Sequence, residues 1–493
     1  MKYNPAGLPQ IVFTVGAPSR TMAEGIGMNA FLARERYYPP TSDKPRWEQI
    51  GRLLDEASPG FLRIGYLEGS DVEGDVSPWD DRAGAFDFSH DLWRKLEWFD
   101  AWCARRGVNW MLDPWWVPRS LQIPRPGGEK IRADPSGKAH WRGAPRDPAE
   151  YAERYIRPLV RHLHRDLNFK RLRWLGLFNE PIWGKLARDP ENFFVADGDS
   201  QVRVLARTYA EVRRVLDEDG ESSLGLIGPG HLCSWQMPPL DFMASGADPS
   251  ASLAAWDMHA YFQQPDWMPE TTADFVSTHS FLQHTVRRWV DFASLQKKPF
   301  FITEMGTFYF GRPFWGERDY ETAGSHSSAI HDAQFIVRAI NEGVDGFLRW
   351  ALCVDPSVDG RWSLIEWAGA DAPVTPSPNI FPAYRALMRA IPPRSSVLHW
   401  NASFSDGLTP HVHGCAVVTP DGNRRIALVH DRPGRNSDVL LVVPPEWKGL
   451  KFRTTIVDEM RKGTEAADVR VPESLEIPLM ITPHSITILE GIP

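Results

Sequence analysis

Two short apolar runs end on glutamate. Trp174-Leu175-Gly176-Leu177-Phe178-Asn179-Glu180-Pro181 closes in an amide, a carboxylate and a proline. Pro299-Phe300-Phe301-Ile302-Thr303-Glu304-Met305-Gly306 delivers a second carboxylate before a glycine that lets the backbone turn. A buried strand does not finish on a charge unless that charge has a partner or a task. Two carboxyl groups about 5–5.5 Å apart are the minimal equipment for cleaving a glycosidic bond with retention. One, protonated, donates to the leaving oxygen; the other, ionised, attacks the anomeric carbon. The acid is the one whose surroundings raise its pKa.

Such a pair must be brought face to face, and the chain between them predicts how. Strands are expected at 25–29, 61–65, 108–112, 174–180, 224–227, 253–261, 300–304 and 346–352. Helices are expected at 47–57, 89–106, 147–167, 201–216, 275–295, 331–341 and 381–391, with Ser89 and Asp147 as N-caps and Gly107 just past a helix end. Strands alternating with helices imply a parallel sheet with right-handed crossovers. About eight such units suit a (β/α)8 TIM barrel over residues 21–392, with long loops at 66–88, 115–146 and 308–328. In that fold all strand C-termini share one mouth. The strands ending at Glu180 and Glu304 count as the fourth and seventh, across the barrel from each other. An open doubly wound sheet is the alternative, but no Gly-rich phosphate loop follows the first strand.

After Pro392-Pro393 the pattern changes to short strands separated by turn signals such as Pro420-Asp421-Gly422-Asn423. Residues 393–493 read as an all-β sandwich domain. The segment 1–20 contains a strand, 11–15, that stands before the barrel and is a candidate for addition to the β domain.

Composition bounds the rest. The 493 residues are 42% hydrophobic and 24% charged, and the net charge of -8 argues against a nucleic-acid partner. There are 21 tryptophans. Indole is a poor core filler because its N–H wants a partner, but it is a good platform for a sugar face. Most are nonetheless expected to fill gaps between helices and strands. Cys103, Cys233, Cys353 and Cys415 have no metal-ligand spacing and read as free thiols. His162 and His164 sit two apart on a predicted helix and do not share a face; His411 and His413 would share a strand face but have no spaced acidic or cysteine partner; all four read as surface residues. No metal or other cofactor is expected. No apolar run at the N-terminus is long enough for a signal peptide or a membrane span, so a cytoplasmic location is the default expectation. Monomer and homo-oligomer both remain open.

Asn179-Glu180-Pro181, the Glu304-Met305-Gly306 strand end and His259-Ala260-Tyr261 together resemble the clan A glycoside hydrolases, nearest to the family-5 and family-39 type of retaining β-glycosidase. The resemblance covers about Thr21 to Ile391. It implies Glu180 as acid/base, Glu304 as nucleophile, Asn179 on the sugar 2-hydroxyl, Tyr261 on the second oxygen of Glu304, and His259 beside the acid/base. It further implies Arg63 as the charge that keeps Glu304 ionised and Trp350 as the floor of the sugar pocket. One departure stands out: where many family-5 enzymes carry a histidine after the third strand, Leu112-Asp113-Pro114-Trp115-Trp116 stands here. Trp115 and Trp116 are candidates for sugar stacking, and Glu68 for sugar hydroxyls. Trp183, Trp235, Trp362 and Trp367 are further candidates. Each has a plainer alternative: a solvated turn for Glu180, satisfied core groups for His259, Tyr261 and Trp350, an ion pair with Asp71 or Glu68 for Arg63. A carbohydrate-binding protein that has lost catalysis, and a metal-dependent hydrolase on the same scaffold, are the competing functional readings.

Overall fold

The structure is a computed structural model and describes residues 11–32, 38–65, 77–115, 117–123, 144–181, 201–232, 248–262, 277–307, 324–353, 362–367, 372–404 and 411–492. Eight parallel strands close into a barrel: Ile26–Phe31, Phe61–Gly65, Asn109–Asp113, Leu172–Leu175, Gly225–Leu232, Ala255–Phe262, Phe300–Thr307 and Gly346–Arg349. The (β/α)8 expectation is thus met. Helices Lys44–Ala57, Asp91–Arg106, 148–166, Gln201–Glu218, 278–295, His326–Glu342 and Phe381–Ala390 follow seven of the strands. Between the fifth and sixth strands the described residues hold only a short 3-10 turn, Pro249–Ala251.

Local chemistry sets the helix ends. Asp43 and Asp147 accept from Arg46 and Ala149 backbone N–H groups, and Gly107 closes its helix at φ 68. The second helix is capped by His90, not Ser89: the His90 imidazole accepts from the Leu92 N–H, while Ser89 bonds Asp87 one step earlier.

Strand alternation sorts side chains between two cores. Phe61, Met111, Trp174, Ile227, Ala255, Phe301 and Leu348 plug the barrel interior, while alternate residues such as Leu62, Leu112, Met258 and Ile302 pack outward against the helices. Two residues above the plug, the same inward rows carry Asn29, Arg63, Asp113, Asp257 and Thr303, all buried. The barrel therefore changes from oil to polar network within one layer.

The last part of the chain forms a nine-stranded sheet that wraps around its own core of Phe13, Leu428, Leu441, Phe452 and Ile477, as a sandwich does. Strands Ser396–Phe404 and Lys462–Arg470 belong to it, and the second alternates little and is mostly polar. Strand Ile11–Thr21 lies inside this sheet, antiparallel to Ser396–Phe404 and parallel to Ser437–Val442. The outer face, through Val417, Val429 and Ile486, shares a core with the last two barrel helices. Two of the histidines read as surface residues are buried: His162 packs against Phe88 with the rings tilted and their centroids 4.2 Å apart, and His413 faces Asp431 at 3.6 Å. Among the described residues no helix is long and apolar enough to cross a membrane. Cys103 and Cys415 are buried free thiols and Cys353 is buried; Cys233 lies outside the described residues.

Candidate active site

The mouth of the barrel is built on Arg63. Its side chain is 1% exposed, so every donor it carries needs a protein acceptor. Nε and Nη2 donate to Asp113 Oδ2 at 3.1 and 2.7 Å. Nη1 donates to Asn29 Oδ1 at 3.0 Å and to Glu304 Oε1 at 2.7 Å. Nη2 also reaches Asn179 Oδ1 at 2.9 Å. Asp113 stands on the neighbouring strand and its other oxygen accepts from the Trp115 N–H at 2.9 Å. The Trp115 ring lies over the guanidinium at 4.9 Å.

Glu304 is reached by an irregularity in its strand. Pairing with the sixth strand runs Ile302 to Met258 and then Glu304 to His259, skipping Thr303. Phe301 points into the barrel and Ile302 away from it. Strict alternation would put Thr303 inside and Glu304 outside. The bulge gives both an inward direction. The sequence expectation ended this strand at Glu304; it continues to Thr307.

Glu180 is placed differently. Its strand ends at Leu175, five residues earlier than expected. Glu180 sits in a bend at φ 50, a left-handed conformation that costs a non-glycine residue about 1–3 kcal/mol. Its N–H donates to Gly230 C=O at 2.9 Å, which pins the bend to the end of the fifth strand.

His259 and Tyr261 share the inward row of the sixth strand. Tyr261 O–H donates to Glu304 Oε2 at 2.9 Å. His259 Nδ1 lies 2.9 Å from Glu180 Oε1 and 3.2 Å from Glu304 Oε2. Ligating atoms of Glu180, His259 and Glu304 all fall within 4.8 Å of one another. That spacing could also hold a cation, but Arg63 already brings a fixed positive charge to the same carboxylate.

The electrostatics separate the groups. Burial pushes the Glu304 carboxyl up, but the His259 and Arg63 charges outweigh it and hold the group at about 2, below its ordinary 4.5. Burial pushes His259 down, yet Glu304 and Glu180 lift it from 6.5 to about 9. Its Nε2 is buried without a partner among the described residues, which opposes the charged form. A lowered carboxylate contributes stability above pH 4.5 that is lost as pH falls toward 2. A raised imidazole contributes stability below pH 6.5 that is lost as pH rises through about 9. The cluster therefore supports the fold fully between these limits. Between pH 6.5 and 9 the wild type is expected to lose on the order of 1–3 kcal/mol that His259→Gln does not lose. Urea unfolding of both proteins across that range checks it; parallel pH profiles would disprove it.

Trp350 follows the eighth strand directly and is half-buried. Its ring is 5.6 Å from Trp115 and 5.5 Å from Phe31. Trp362 lies on Gly306, where an added Cβ would come within 2.0 Å of the ring. It meets Tyr261 edge-on at 5.6 Å and is backed by Arg349 at 5.3 Å. Arg349 is itself paired with buried Asp332.

Of the residues singled out in the sequence, Glu180, Glu304, Arg63, Asn179, His259, Tyr261, Trp115 and Trp350 come together here. Trp362 joins them and Trp367 packs on the core beside. Glu68, Asp71, Trp116, Trp183 and Trp235 lie outside the described residues. Asn29, Asp113 and Asp257 were missed as site residues. Asp257 sits two residues before His259 on the inward row of a strand already recognised, so period-two counting from His259 could have found it.

No family model matches the chain, and no curated protein matches it. Solved structures do. A GH30 endoxylanase from Clostridium papyrosolvens superposes with a TM-score of 0.61 at 13% identity, over 98% of this chain and 100% of that one. A GH51 arabinofuranosidase from Xanthomonas axonopodis pv. citri gives 0.60 at 15% identity, over 98% and 100%. A glucosidase from Croceicoccus marinus gives 0.59 at 14%, over 98% and 99%. At such identities the likeness is one of fold, and it extends through the barrel and the β domain alike.

Proposed function

We propose that this chain is a retaining glycoside hydrolase with Glu304 as nucleophile and Glu180 as acid/base. One observation carries the reading. Two carboxylates from opposite sides of the barrel mouth approach within 4.8 Å, and only one of them is held by a guanidinium, a phenol and an imidazole. That approach is near the roughly 5–5.5 Å of retaining chemistry and well short of the roughly 6.5–9.5 Å that leaves room for a water to attack from the far side of the ring. Glu304 attacks the anomeric carbon, and the glycosidic C–O bond breaks as Glu180 gives its proton to the departing oxygen. Glu180 then takes a proton from water, which displaces Glu304 from the glycosyl ester.

The neighbours divide the remaining work. Asn179 Oδ1 is occupied by Arg63, so the amide's remaining capacity is donation, which suits a sugar hydroxyl. Trp350 and Trp115 offer an aromatic floor and wall. The three structural neighbours carry names for xylan, arabinofuranoside and glucoside chemistry; these set the first panel to try and leave the sugar open. The test is a hydrolysis screen of aryl β-glycosides, aryl arabinofuranosides and soluble β-glucans, xylans and mannans, with Glu304→Ala as the blank. Release that is absent in the blank supports the proposal; binding of oligosaccharides without release favours a carbohydrate-binding protein.

Glu180→Ala is expected to lose about 10²–10⁴-fold in kcat/KM on substrates with poor leaving groups, and far less on dinitrophenyl glycosides, which depart without a proton. Equal losses on both would remove Glu180 from the acid role.

A further inference from the structure

The polar layer beneath the site contains one carboxylate that touches neither Glu180 nor Glu304 yet is bonded to the backbone segments that carry both. Asp257 is 1% exposed and lies two residues before His259 on the inward row of the sixth strand. Oδ1 accepts from the Gly230 N–H at 2.7 Å. Oδ2 accepts from the Thr303 hydroxyl at 2.6 Å. Gly230 is the residue whose carbonyl receives the Glu180 N–H. Thr303 is the extra residue of the bulge that turns Glu304 inward. The structure assigns Asp257 a positioning role: one side chain bridges the fifth and seventh strands and fixes the separation of the two carboxylates.

Several features fit a built tether rather than a chance polar contact. Gly230 adopts φ 64, and a Cβ there would lie 2.9 Å from Phe178 O, so the turn that offers its N–H to Asp257 is closed against the Glu180 loop. Both strands are irregular at this level: the fifth-to-sixth pairing slips between Gly228 and His231, and the sixth-to-seventh slips between Ile302 and Glu304. Regular ladder bonds are therefore interrupted on both sides of Asp257 at the height of the site, and its two oxygens supply bonds there. A neutral side chain could serve as well. An asparagine at 257 could accept from Gly230 with Oδ1 and donate to Thr303 with Nδ2, the hydroxyl reversing its role. The charged and titratable groups facing Asp257 are His259 on its own strand, Arg63 on the second strand, and Tyr209 on the helix behind.

The test rests on the hydrolase reading for its kinetic half only. Asp257→Ala, Asp257→Asn and Thr303→Val are compared with the wild type. Active sites are counted by covalent labelling with a 2-deoxy-2-fluoro glycoside, so that misfolded protein drops out of the rate. Per labelled site, Asp257→Ala is expected to lose about 10²-fold in kcat with KM within about threefold, as a misplacement of reacting groups does. Asp257→Asn should keep at least about ten times the turnover of Asp257→Ala, and Thr303→Val should fall between. Wild-type kcat per site in Asp257→Ala, or equal losses in Asp257→Ala and Asp257→Asn, would overturn the assignment. The second half needs no substrate. With 13C-carboxyl glutamate, and Glu304→Gln to assign the signal, Glu304 should titrate higher in Asp257→Ala than in Asp257→Asn. Both variants remove the same charge, so the difference reads the tether alone; coincident titrations overturn it. A wild type that neither labels nor hydrolyses would defeat the hydrolase reading and leave the titration to decide. If Asp257→Ala does not fold, Thr303→Val against wild type gives the same comparison for the Glu304 arm.

Discussion

Glu304→Ala is expected to lose at least about 10⁴-fold in kcat, because on the proposed reading it removes the nucleophile that forms the glycosyl ester. The size follows from what surrounds it. Glu304 is 4% exposed and spends both oxygens on protein donors. Alanine leaves a small hole in its place and no carboxylate to attack. The hole also identifies the mechanism. Azide at high concentration should enter from the Glu304 side and restore turnover on activated aryl glycosides, and the glycosyl azide formed should have the inverted anomeric configuration. Proton NMR of the product decides. Retained configuration would mean that the nucleophile is elsewhere, and undiminished hydrolysis in Glu304→Ala would end the proposal.

Arg63→Met is expected to be the most damaging substitution for the fold. Methionine fills much of the same space, so cavity effects are small and the electrostatic loss is exposed. Asp113 and Glu304 would remain buried, each having lost its guanidinium, and the Asn29 and Asn179 carbonyl oxygens would each lose a donor. Breaking one side of a buried ion pair costs about 3–5 kcal/mol. Urea unfolding at neutral pH measures it, and a loss below about 1 kcal/mol would refute the central role given to Arg63. Activity should fail for a second reason. Burial alone pushes Glu304 upward, and among the described residues His259 would be the charge left in contact to oppose it. The acidic limb of kcat/KM should therefore move toward neutrality in any protein that folds. Arg63→Lys keeps the charge but not the fork that serves four acceptors, and is expected to recover the pH limb better than the stability.

Much of this was legible in the amino-acid sequence, for identifiable reasons. Period-two alternation in Phe61–Gly65 and Ala255–Phe262 shows which residues face inward, and the change of pattern at Pro392-Pro393 separates the two β architectures. Glu180 and Glu304 stand out because apolar runs rarely end on carboxylates. The geometry that makes them a pair is less visible. A bulge is one unpaired residue, and nothing in Ile302-Thr303-Glu304 distinguishes it from a straight strand. The bend at Glu180 depends on Gly230, fifty residues away. Asp113 was noticed only as the place where a histidine was absent, yet it is the acceptor that orients Arg63. Asn29 and Asp257 carry no motif at all, since their partners are brought by barrel closure and not by sequence spacing.

The first described strand, Ile11–Thr21, pairs with Ser396–Phe404 and Ser437–Val442. During synthesis those partners are made after every barrel strand. About 390 residues, including every barrel strand, emerge while this β-rich leading segment has no native neighbour, and the closing contact is correspondingly slow to find. The nascent chain thus carries an unpaired apolar strand, Ile11, Phe13 and Val15, that must be kept from foreign partners until its neighbours in the sheet are made. Joining residue 492 to residue 11 and opening the chain elsewhere would bring the strand within reach of its sheet from the start.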